Sequence, residues 1–153
     1  QQFLRNVAWG DVDFLILDLP PGTGDIQLTI VQTAELDGVV VVTTPQEVAL
    51  IDARKAIGLF ERVETPILGV IENMSYFQCP SDGKIYHIFG EGGGEREAAK
   101  LGVPLLGKIP LDIATRSGGD EGRPVALEDP EKNPVSAAFR QVAEQCARVV
   151  LDR

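Results

Sequence analysis

Residues that could hold a phosphate and its metal ion lie together in the segment 18–25, which reads Asp-Leu-Pro-Pro-Gly-Thr-Gly-Asp. The Asp18 carboxylate ends an apolar run and precedes a stiff proline pair, so it could hold a water molecule of a Mg²⁺ ion. Gly22 has no side chain, and its backbone amide could therefore approach a terminal phosphate. The alternative is an aspartate that only caps the end of a strand. For Asp25, capping of the following helix is favoured over a role in orienting the glycine turn.

Three other places carry polar groups directly after an apolar run. The segment 43–47 offers hydroxyls that could face a phosphate, although a turn and a helix cap explain the same residues. Asn73 could pair its amide with the edge of an adenine ring, although asparagine is also common in turns. Backbone groups around Pro110 and Asp112 could border the same base. Four such places in order favour one ligand site, because ligands of open α/β sheets bind beyond the carboxyl ends of the strands.

The elements that must position these residues alternate between strands and helices. Mainly apolar runs, typical of strands buried on both faces of a parallel sheet, occur at 14–19, 39–43, 67–71 and 104–109. Apolar residues at helical spacing occur at 26–36, 48–63, 95–101 and 134–151. The segment 117–133, rich in glycine, proline and acidic residues, is predicted to be a long surface connection. This order predicts an α/β fold with a doubly wound, mostly parallel sheet flanked by helices.

The domain organisation is predicted to be a single α/β domain over residues 1–153, without an internal repeat or an interdomain linker. Residues 1–13 are interpreted as the end of a helix and its turn into a strand. They leave no room for the strand, loop and helix with which such a fold normally begins. The sequence therefore predicts a partial domain that lacks this N-terminal unit.

Composition and charge exclude several classes of function. Of the 153 residues, 44% are hydrophobic, which is enough to bury a core, and the formal net charge is -9. An acidic chain without a basic stripe is repelled by a phosphate backbone, so we expect no nucleic-acid partner. The apolar runs are too short to span a membrane and no leader opens the chain, so we expect a cytoplasmic protein without a membrane partner. The two cysteines, Cys79 and Cys146, are expected to be free thiols.

Six motifs together resemble the Mrp/ApbC branch of the P-loop ATPases related to MinD and ParA. The first is the segment 18–25 described above. The others are Thr-Thr-Pro-Gln at 43–46, Glu-Asn-Met-Ser-Tyr-Phe at 72–77, Ile-Phe-Gly-Glu-Gly-Gly at 88–93, Gly-Val-Pro-Leu-Leu-Gly-Lys-Ile-Pro-Leu-Asp at 102–112 and Gly-Arg-Pro at 122–124. Because these motifs are long and follow in order, they are more specific than a single glycine pattern.

The resemblance implies an ATP-dependent iron-sulfur cluster carrier, a homodimer that transfers a [4Fe-4S] cluster to apoproteins. By this resemblance Asp18 would be the acid associated with Mg²⁺, and Gly22 would belong to the loop that senses the γ-phosphate of ATP. Asn73 and the region of Pro110 and Asp112 would form the adenine site.

Two features depart from the pattern of this family. No Gly-x-x-x-x-Gly-Lys-[Ser/Thr] loop occurs, since the glycines at 90–94 have neither the lysine nor a preceding strand, and the chain by itself is expected to bind ATP poorly. The family usually has Cys-x-x-Cys after the Asn-Met-Ser-Tyr-Phe run, whereas here Asp82 stands in the place of the second cysteine. Thiolates suit iron-sulfur centres better than carboxylate oxygens. Either Asp82 is a hard ligand, or Cys79 holds a more labile cluster, or the site has been lost.

Other candidate ligands and other function classes stay open. His87 could replace a missing ligand near Cys79, but a solvated loop imidazole is the favoured interpretation of a lone histidine. Cys146 is expected to be a small buried residue on the last helix. One alternative function is a MinD-like regulatory ATPase that recruits partners without a metal cluster. Another is an interaction or folding module without ATPase activity. The segment 134–153 lacks the basic amphipathic face that a membrane-binding version would need.

Overall fold

Five helices and five strands are found in the computed structural model, which describes residues 6–20 and 24–152. The helices are α1 (Asp25–Thr33), α2 (Glu47–Arg62), α3 (Gly93–Leu101), α4 (Ile113–Asp120) and α5 (Pro134–Leu151). The strands are β1 (Val39–Thr43), β2 (Ile67–Glu72), β3 (Phe77–Gln78), β4 (Ile85–Tyr86) and β5 (Leu105–Lys108). A 3-10 turn at Val125–Leu127 lies between α4 and α5.

A parallel sheet of three strands forms at the places where three of the apolar runs predict strands. β2 lies in the centre, with β1 on one side and β5 on the other, and both pairings are parallel. The β-branched run at 39–42 favours an extended backbone. Parallel neighbours need crossover connections, and here α2 joins β1 to β2 while the segment with α3 joins β2 to β5. The predicted fold class, a mostly parallel sheet flanked by helices, is confirmed.

The core packs α2 and α3 against this sheet. It contains Val41 from β1, Val70 from β2, Ala53 and Ile57 from α2, and Ala98 from α3. Helix α2 buries most of the apolar positions that predict it, but Val48 and Ile51 are exposed. Full burial of one such aliphatic side chain contributes about 1.5–3 kcal/mol, so this cluster is a main source of the fold's stability.

Helix α5 begins and ends where the sequence predicts it. Its first turn is capped by Asn133, whose Oδ1 accepts hydrogen bonds from the backbone N–H of Val135 at 2.8 Å and of Ser136 at 3.3 Å. Pro134 occupies the start of the helix, where its missing N–H costs nothing. The helix packs against β5 so closely that a Cβ on Gly107 would lie 2.5 Å from Cγ2 of Val142. Glycine in β5 therefore permits this contact.

An ion pair joins α2 to α3. The Arg54 guanidinium donates to both carboxylate oxygens of Glu97, at 2.9 and 2.8 Å, and also reaches Glu47 at 2.7 Å. Glu97 is only 4% exposed, and a carboxylate buried to this degree needs such a partner. The hydrogen bonds from Arg54 hold the pKa of Glu97 below its usual value. The pair therefore fixes the position of α3 on α2.

The strand predicted at 14–19 is absent from the structure. Residues 14–20 have no regular secondary structure, no described strand pairs with them, and Ile16 is 88% exposed. This prediction was wrong because a strand needs hydrogen bonds from a neighbouring strand, which an apolar run cannot supply by itself. The segment is held to α1 instead, since Nε2 of Gln27 donates to the carbonyl oxygen of Pro20 at 2.8 Å.

Three smaller differences remain, of which two concern element boundaries and one is a missed element. The connection predicted at 117–133 begins inside α4 and includes the 3-10 turn. The helix predicted at 26–36 ends at Thr33. The antiparallel hairpin of β3 and β4 was not predicted, although Asp82-Gly83 between two short stretches of apolar and aromatic residues is a known turn signal.

Among the residues that the structure describes, no helix is both long enough and apolar enough to cross a bilayer.

Candidate functional site at the carboxyl edge of the sheet

The three parallel strands end side by side, which brings together the residues that follow them. Thr43 is paired with Glu72, and Glu72 with Lys108, in the register of the sheet. Two further hydrogen bonds extend the ladder, from the N–H of Asn73 to the carbonyl of Thr43 at 2.7 Å and from the N–H of Ile109 to the carbonyl of Glu72 at 2.9 Å. Three of the four predicted places therefore meet at one edge of the sheet.

Thr44 carries an unsatisfied polar atom at this edge. Its Oγ1 is buried and forms no hydrogen bond with any of the described residues. The neighbouring Thr43 hydroxyl donates to the Thr44 carbonyl at 3.2 Å and so does not serve it. Because a buried hydroxyl without a partner costs about 1–3 kcal/mol, such an atom fits a polar group supplied by a ligand.

Asn73 lies half-buried in a tight turn that follows β2. Its Oδ1 accepts a hydrogen bond from the N–H of Met74 at 3.0 Å. Met74 has a φ of 53°, in the left-handed region that a non-glycine residue seldom adopts. Within the described residues no group accepts from Nδ2 of Asn73. In the side-chain amide predicted to bind adenine, Oδ1 is thus occupied by the backbone and Nδ2 is available.

Pro110 and Asp112 follow β5 at the same edge. The N–H of Leu111 between them donates to the carbonyl of Tyr76 at 2.7 Å, and Leu111 pairs with Phe77 as a parallel bridge. The Asp112 carboxylate caps α4, where Oδ2 accepts from the N–H of Thr115 at 2.7 Å and from its hydroxyl at 2.9 Å. The side chain of Asp112 is therefore committed to the helix, and contact of this region with a base stays a prediction.

Asp18 and Gly22 are not brought to this edge by the described residues. Asp18 is exposed, and it does not end a strand because residues 14–19 form none. The expectation that it sits at the top of a buried strand was wrong for this structure. Gly22 lies outside the described residues. The roles of Asp18 toward Mg²⁺ and of Gly22 toward phosphate stay predictions.

Cys79 and Asp82 occupy the turn of the β3–β4 hairpin. The turn is closed by hydrogen bonds from the N–H of Cys79 to the carbonyl of Lys84 and from the N–H of Gly83 to the carbonyl of Cys79, both at 2.8 Å. Gly83 has a φ of +71°, which explains a glycine at this position. Asp82 accepts from the N–H of Lys84 at 3.0 Å. The structure therefore brings the two predicted metal ligands into one turn.

Hydrogen bonds around the thiol of Cys79 favour its ionised form. Its Sγ lies 3.0 Å from the hydroxyl of Ser81. Hydrogen bonds from the Ser81 side chain and backbone hold the pKa of Cys79 below its usual value, although the Asp82 carboxylate acts in the opposite direction. The N–H of Lys84 and the Cys79 thiol in turn hold the pKa of Asp82 below its usual value. A thiolate is the form that binds a metal.

The remaining candidate ligands do not complete a metal site within one chain. Nδ1 of His87 lies 3.3 Å from the carbonyl oxygen of Ser75, and Nε2 lies 3.7 Å from a carboxylate oxygen of Glu91. Cys146 is half-buried on α5, and burial raises its pKa. Across the described part of the chain, no group of three or more histidine, cysteine or acidic side chains is arranged to hold a metal ion.

Two of the glycines at 90–94 serve packing in this structure. A Cβ on Gly93 would lie 2.5 Å from the carbonyl oxygen of Pro45, and a Cβ on Gly94 would lie 3.0 Å from Cβ of Glu72. Helix α3 therefore begins against the ends of β1 and β2 because these two residues have no side chains. Sequence reasoning excluded a phosphate loop here but missed this reason for the glycines, and it gave no separate role to Glu72.

Comparisons with known proteins agree with this architecture. A profile of the ParA family described as NUBPL iron-transfer P-loop NTPase matches residues 1–147. An iron-sulfur cluster carrier protein of Deinococcus radiodurans is 53% identical over 149 residues, covering 96% of this chain and 41% of that protein. One from Pyrococcus furiosus is 50% identical over 145 residues, covering 95% of this chain and 48% of that protein. The chain thus spans less than half the length of these two relatives.

Solved structures give the same result at the level of the fold. A nucleotide-binding protein of Archaeoglobus fulgidus, solved in complex with ADP, is 44% identical with a TM-score of 0.72, covering 80% of this chain and 50% of that one. The cell division ATPase MinD of Pyrococcus furiosus is 30% identical with a TM-score of 0.53, covering 74% and 43%.

A parallel sheet with polar groups at the carboxyl ends of its strands defines the chain as an α/β fold of the open-sheet class, in which ligands bind at that edge. More narrowly, the chain belongs to the ParA family of iron-transfer P-loop NTPases, and the resemblance to Mrp/ApbC proteins is confirmed.

Proposed function

We propose that the protein containing this chain is a nucleotide-dependent iron-sulfur cluster carrier. The observation that carries the proposal is the continuity between the two candidate sites. Cys79 lies in the hairpin that directly follows the end of β2, and Leu111 after β5 is hydrogen-bonded to Tyr76 at the start of that hairpin. A group bound at the strand ends would therefore be close in the chain to the thiol that binds the cargo.

The nucleotide half of the proposal is supported by the polar groups at the strand ends. The unpartnered hydroxyl of Thr44 and the amide of Asn73 fit a polar ligand such as ATP. Asp18 would hold Mg²⁺ through water, Gly22 would approach the terminal phosphate, and Pro110 and Asp112 would border the base. The bound nucleotide would supply phosphate-transfer chemistry, and the residues of this chain would orient it.

The cluster is the cargo, and its proposed ligands are Cys79 and Asp82. One chain offers one thiolate and one carboxylate in a single turn, so two copies in a homodimer would offer two of each. Because carboxylate oxygen is a hard ligand for an iron-sulfur cluster, such a cluster would be held less tightly than one on four thiolates. Weak holding suits a carrier that passes its cluster to apo iron-sulfur proteins in the cytoplasm.

Anaerobic reconstitution of the full-length protein tests the proposal. Iron and acid-labile sulfide would be measured after gel filtration of the parent, Cys79→Ser, Cys146→Ser and Asp82→Cys proteins. We expect iron in the parent and in Cys146→Ser, loss of iron in Cys79→Ser, and slower loss to a chelator in Asp82→Cys. Equal iron in the parent and Cys79→Ser would remove Cys79 from the site.

A second function is distinguished by the same proteins. A MinD-like regulatory ATPase would form nucleotide-dependent dimers and bind partners without any cluster. The similarity of the fold to MinD is the observation that favours this second function. ATP binding by the parent protein with no iron after reconstitution would favour it and reject the carrier.

A further inference from the structure

Glu72 is a buried carboxylate for which the nucleotide and cluster sites give no explanation. It is the last residue of β2, and its exposed fraction is 0%. Transfer of a carboxylate out of water is unfavourable unless hydrogen-bond donors replace the water. The identity of these donors indicates what the residue does.

The first donor comes from the start of α3. Oε2 of Glu72 accepts a hydrogen bond from the N–H of Gly94 at 2.6 Å. Gly94 is the second residue of the helix, where backbone N–H groups have no partner within the helix, and the residue before the helix, Gly92, provides no side-chain cap. The side chain of Glu72, at the end of β2, therefore caps the start of α3.

The second donor comes from the turn that leads to the Cys79 hairpin. Oε1 of Glu72 accepts a hydrogen bond from the hydroxyl of Ser75 at 2.5 Å. Ser75 is 3% exposed, and its own backbone is fixed at both ends. Its N–H donates to the carbonyl of Ile109 at 2.9 Å, and its carbonyl oxygen lies 3.3 Å from Nδ1 of His87, the residue that follows β4.

These contacts connect both ends of the hairpin to the strand ends through one residue, Ser75, whose hydroxyl bonds to Glu72 and whose carbonyl oxygen lies near His87. Ser75 lies two residues before β3, and His87 lies one residue after β4. Met74, between Asn73 and Ser75, has a left-handed backbone conformation, and such a conformation restricts the turn. A displacement of Asn73 would therefore be passed to Ser75 and then to the hairpin that carries Cys79.

We infer that Glu72 is a positioning residue. It holds the hairpin of Cys79 and Asp82 in a fixed position relative to the carboxyl edge of the sheet, where the nucleotide is proposed to bind. The inference rests on the proposed function for its biological meaning, but not for its test. Both carboxylate oxygens of Glu72 are occupied by Ser75 and Gly94, and Glu72 acts through these two residues.

Amide hydrogen exchange of the full-length protein, without iron or nucleotide, tests the inference. Glu72→Ala removes both hydrogen bonds. We expect amide exchange across residues 76–87 to become about tenfold faster, because the free energy contributed by one such hydrogen bond corresponds to about a tenfold change in an equilibrium constant. Glu72→Gln can still accept from Gly94 and donate to Ser75, so it should restore most of the protection. Ser75→Ala, which leaves the cap of α3 intact, should loosen the same residues and serves if Glu72→Ala does not fold.

Glu97→Gln is the matched control. It changes another buried carboxylate, on α3 itself, whose partners are Arg54 and Lys100 and which forms no described hydrogen bond with Ser75. We expect it to lower the free energy of unfolding without a selective rise in exchange at 76–87. The inference is overturned if Glu72→Ala and Ser75→Ala leave the hairpin protected, or if Glu97→Gln loosens it to the same extent.

Cluster retention separates this inference from the proposed function. In the full-length reconstituted protein, Ser75→Ala should lose iron to a chelator several times faster than the parent. If the parent binds no iron but the exchange results are as expected, the carrier proposal fails and the positioning role of Glu72 stands. If the parent binds iron but the hairpin is not loosened by either variant, the positioning role fails alone.

Discussion

Asp112 shows at the scale of one residue how a side chain can meet the expectation for a ligand site and still serve the fold. Its carboxylate accepts two hydrogen bonds from Thr115 and begins α4. We predict that Asp112→Ala lowers the free energy of unfolding by about 1 kcal/mol, the usual cost of a lost N-cap. Asp112→Asn keeps an oxygen acceptor and should retain most of the stability. Urea denaturation of the three proteins measures the difference, and equal loss in both variants would contradict the capping role.

The two cysteines are predicted to differ in reactivity. Hydrogen bonds from Ser81 lower the pKa of Cys79, whereas burial raises the pKa of Cys146. A lowered pKa gives more thiolate at neutral pH, so iodoacetamide should modify Cys79 first. The midpoint of the pH–rate curve should lie below the usual thiol value for Cys79 and above it for Cys146.

Ser81→Ala is the specific test of this difference. Loss of the hydroxyl should move the midpoint of Cys79 to higher pH and leave that of Cys146 unchanged, as measured by mass spectrometry of the alkylated peptides. Both cysteines should react at similar rates in denaturant, where the folded environment is lost. Faster modification of Cys146 in the folded chain would contradict the assignment.

At the scale of elements, the start of α3 depends on a glycine. A Cβ on Gly93 would lie 2.5 Å from the carbonyl oxygen and 2.8 Å from Cα of Pro45. Because backbone atoms cannot move aside as a flexible side chain can, we predict that Gly93→Ala costs about 1–3 kcal/mol, as overpacking usually does.

Gly58→Ala provides the matched control for Gly93→Ala. Gly58 lies within α2, and a Cβ there would have no atom within 4 Å. Alanine should stabilise this helix by about 1 kcal/mol, since it is the better helix former. The free energy of unfolding of both variants, measured by denaturant titration, should therefore change in opposite directions. A gain in stability for Gly93→Ala would show that the helix can shift away from Pro45.

The sequence was sufficient for elements whose signals are local. The valine run of β1 and the Asn133-Pro134 start of α5 each lie within a few residues of the element they determine, and both elements are found where predicted. Residues 14–19 have the same apolar character as β1 but form no strand, because pairing depends on a neighbour distant in sequence. The link from Glu72 to Gly94 spans 22 residues, and no local pattern predicts it.

The candidate site divides in the same way. The order of strand, turn and polar residue placed Asn73, Pro110 and the two threonines at one edge of the sheet, since parallel strands all end at the same edge. The sequence also put Cys79 and Asp82 close together, because only two residues separate them. It could not supply the unsatisfied hydroxyl of Thr44, which depends on burial by residues far away in the chain.

For the whole molecule, an apolar surface is the feature with the clearest consequence in solution. Val12, Phe14, Leu15 and Ile16 are between 46% and 88% exposed and lie within one segment, interrupted only by Asp13. Several exposed apolar residues within so short a segment promote association. The net charge of -9 opposes association through repulsion, and salt screens this repulsion.

We therefore predict that the 153-residue chain self-associates as salt is raised, and that Ile16→Asp reduces this association. Stability should change little, because Ile16 is 88% exposed and lies outside the core. Leu127→Asp is the control, since Leu127 is 83% exposed but lies apart from this run. Sedimentation at low and high salt measures the association, and urea denaturation measures the stability. If both substitutions reduce association equally, added charge rather than the apolar run is responsible, and the segment 12–16 is not the contact surface.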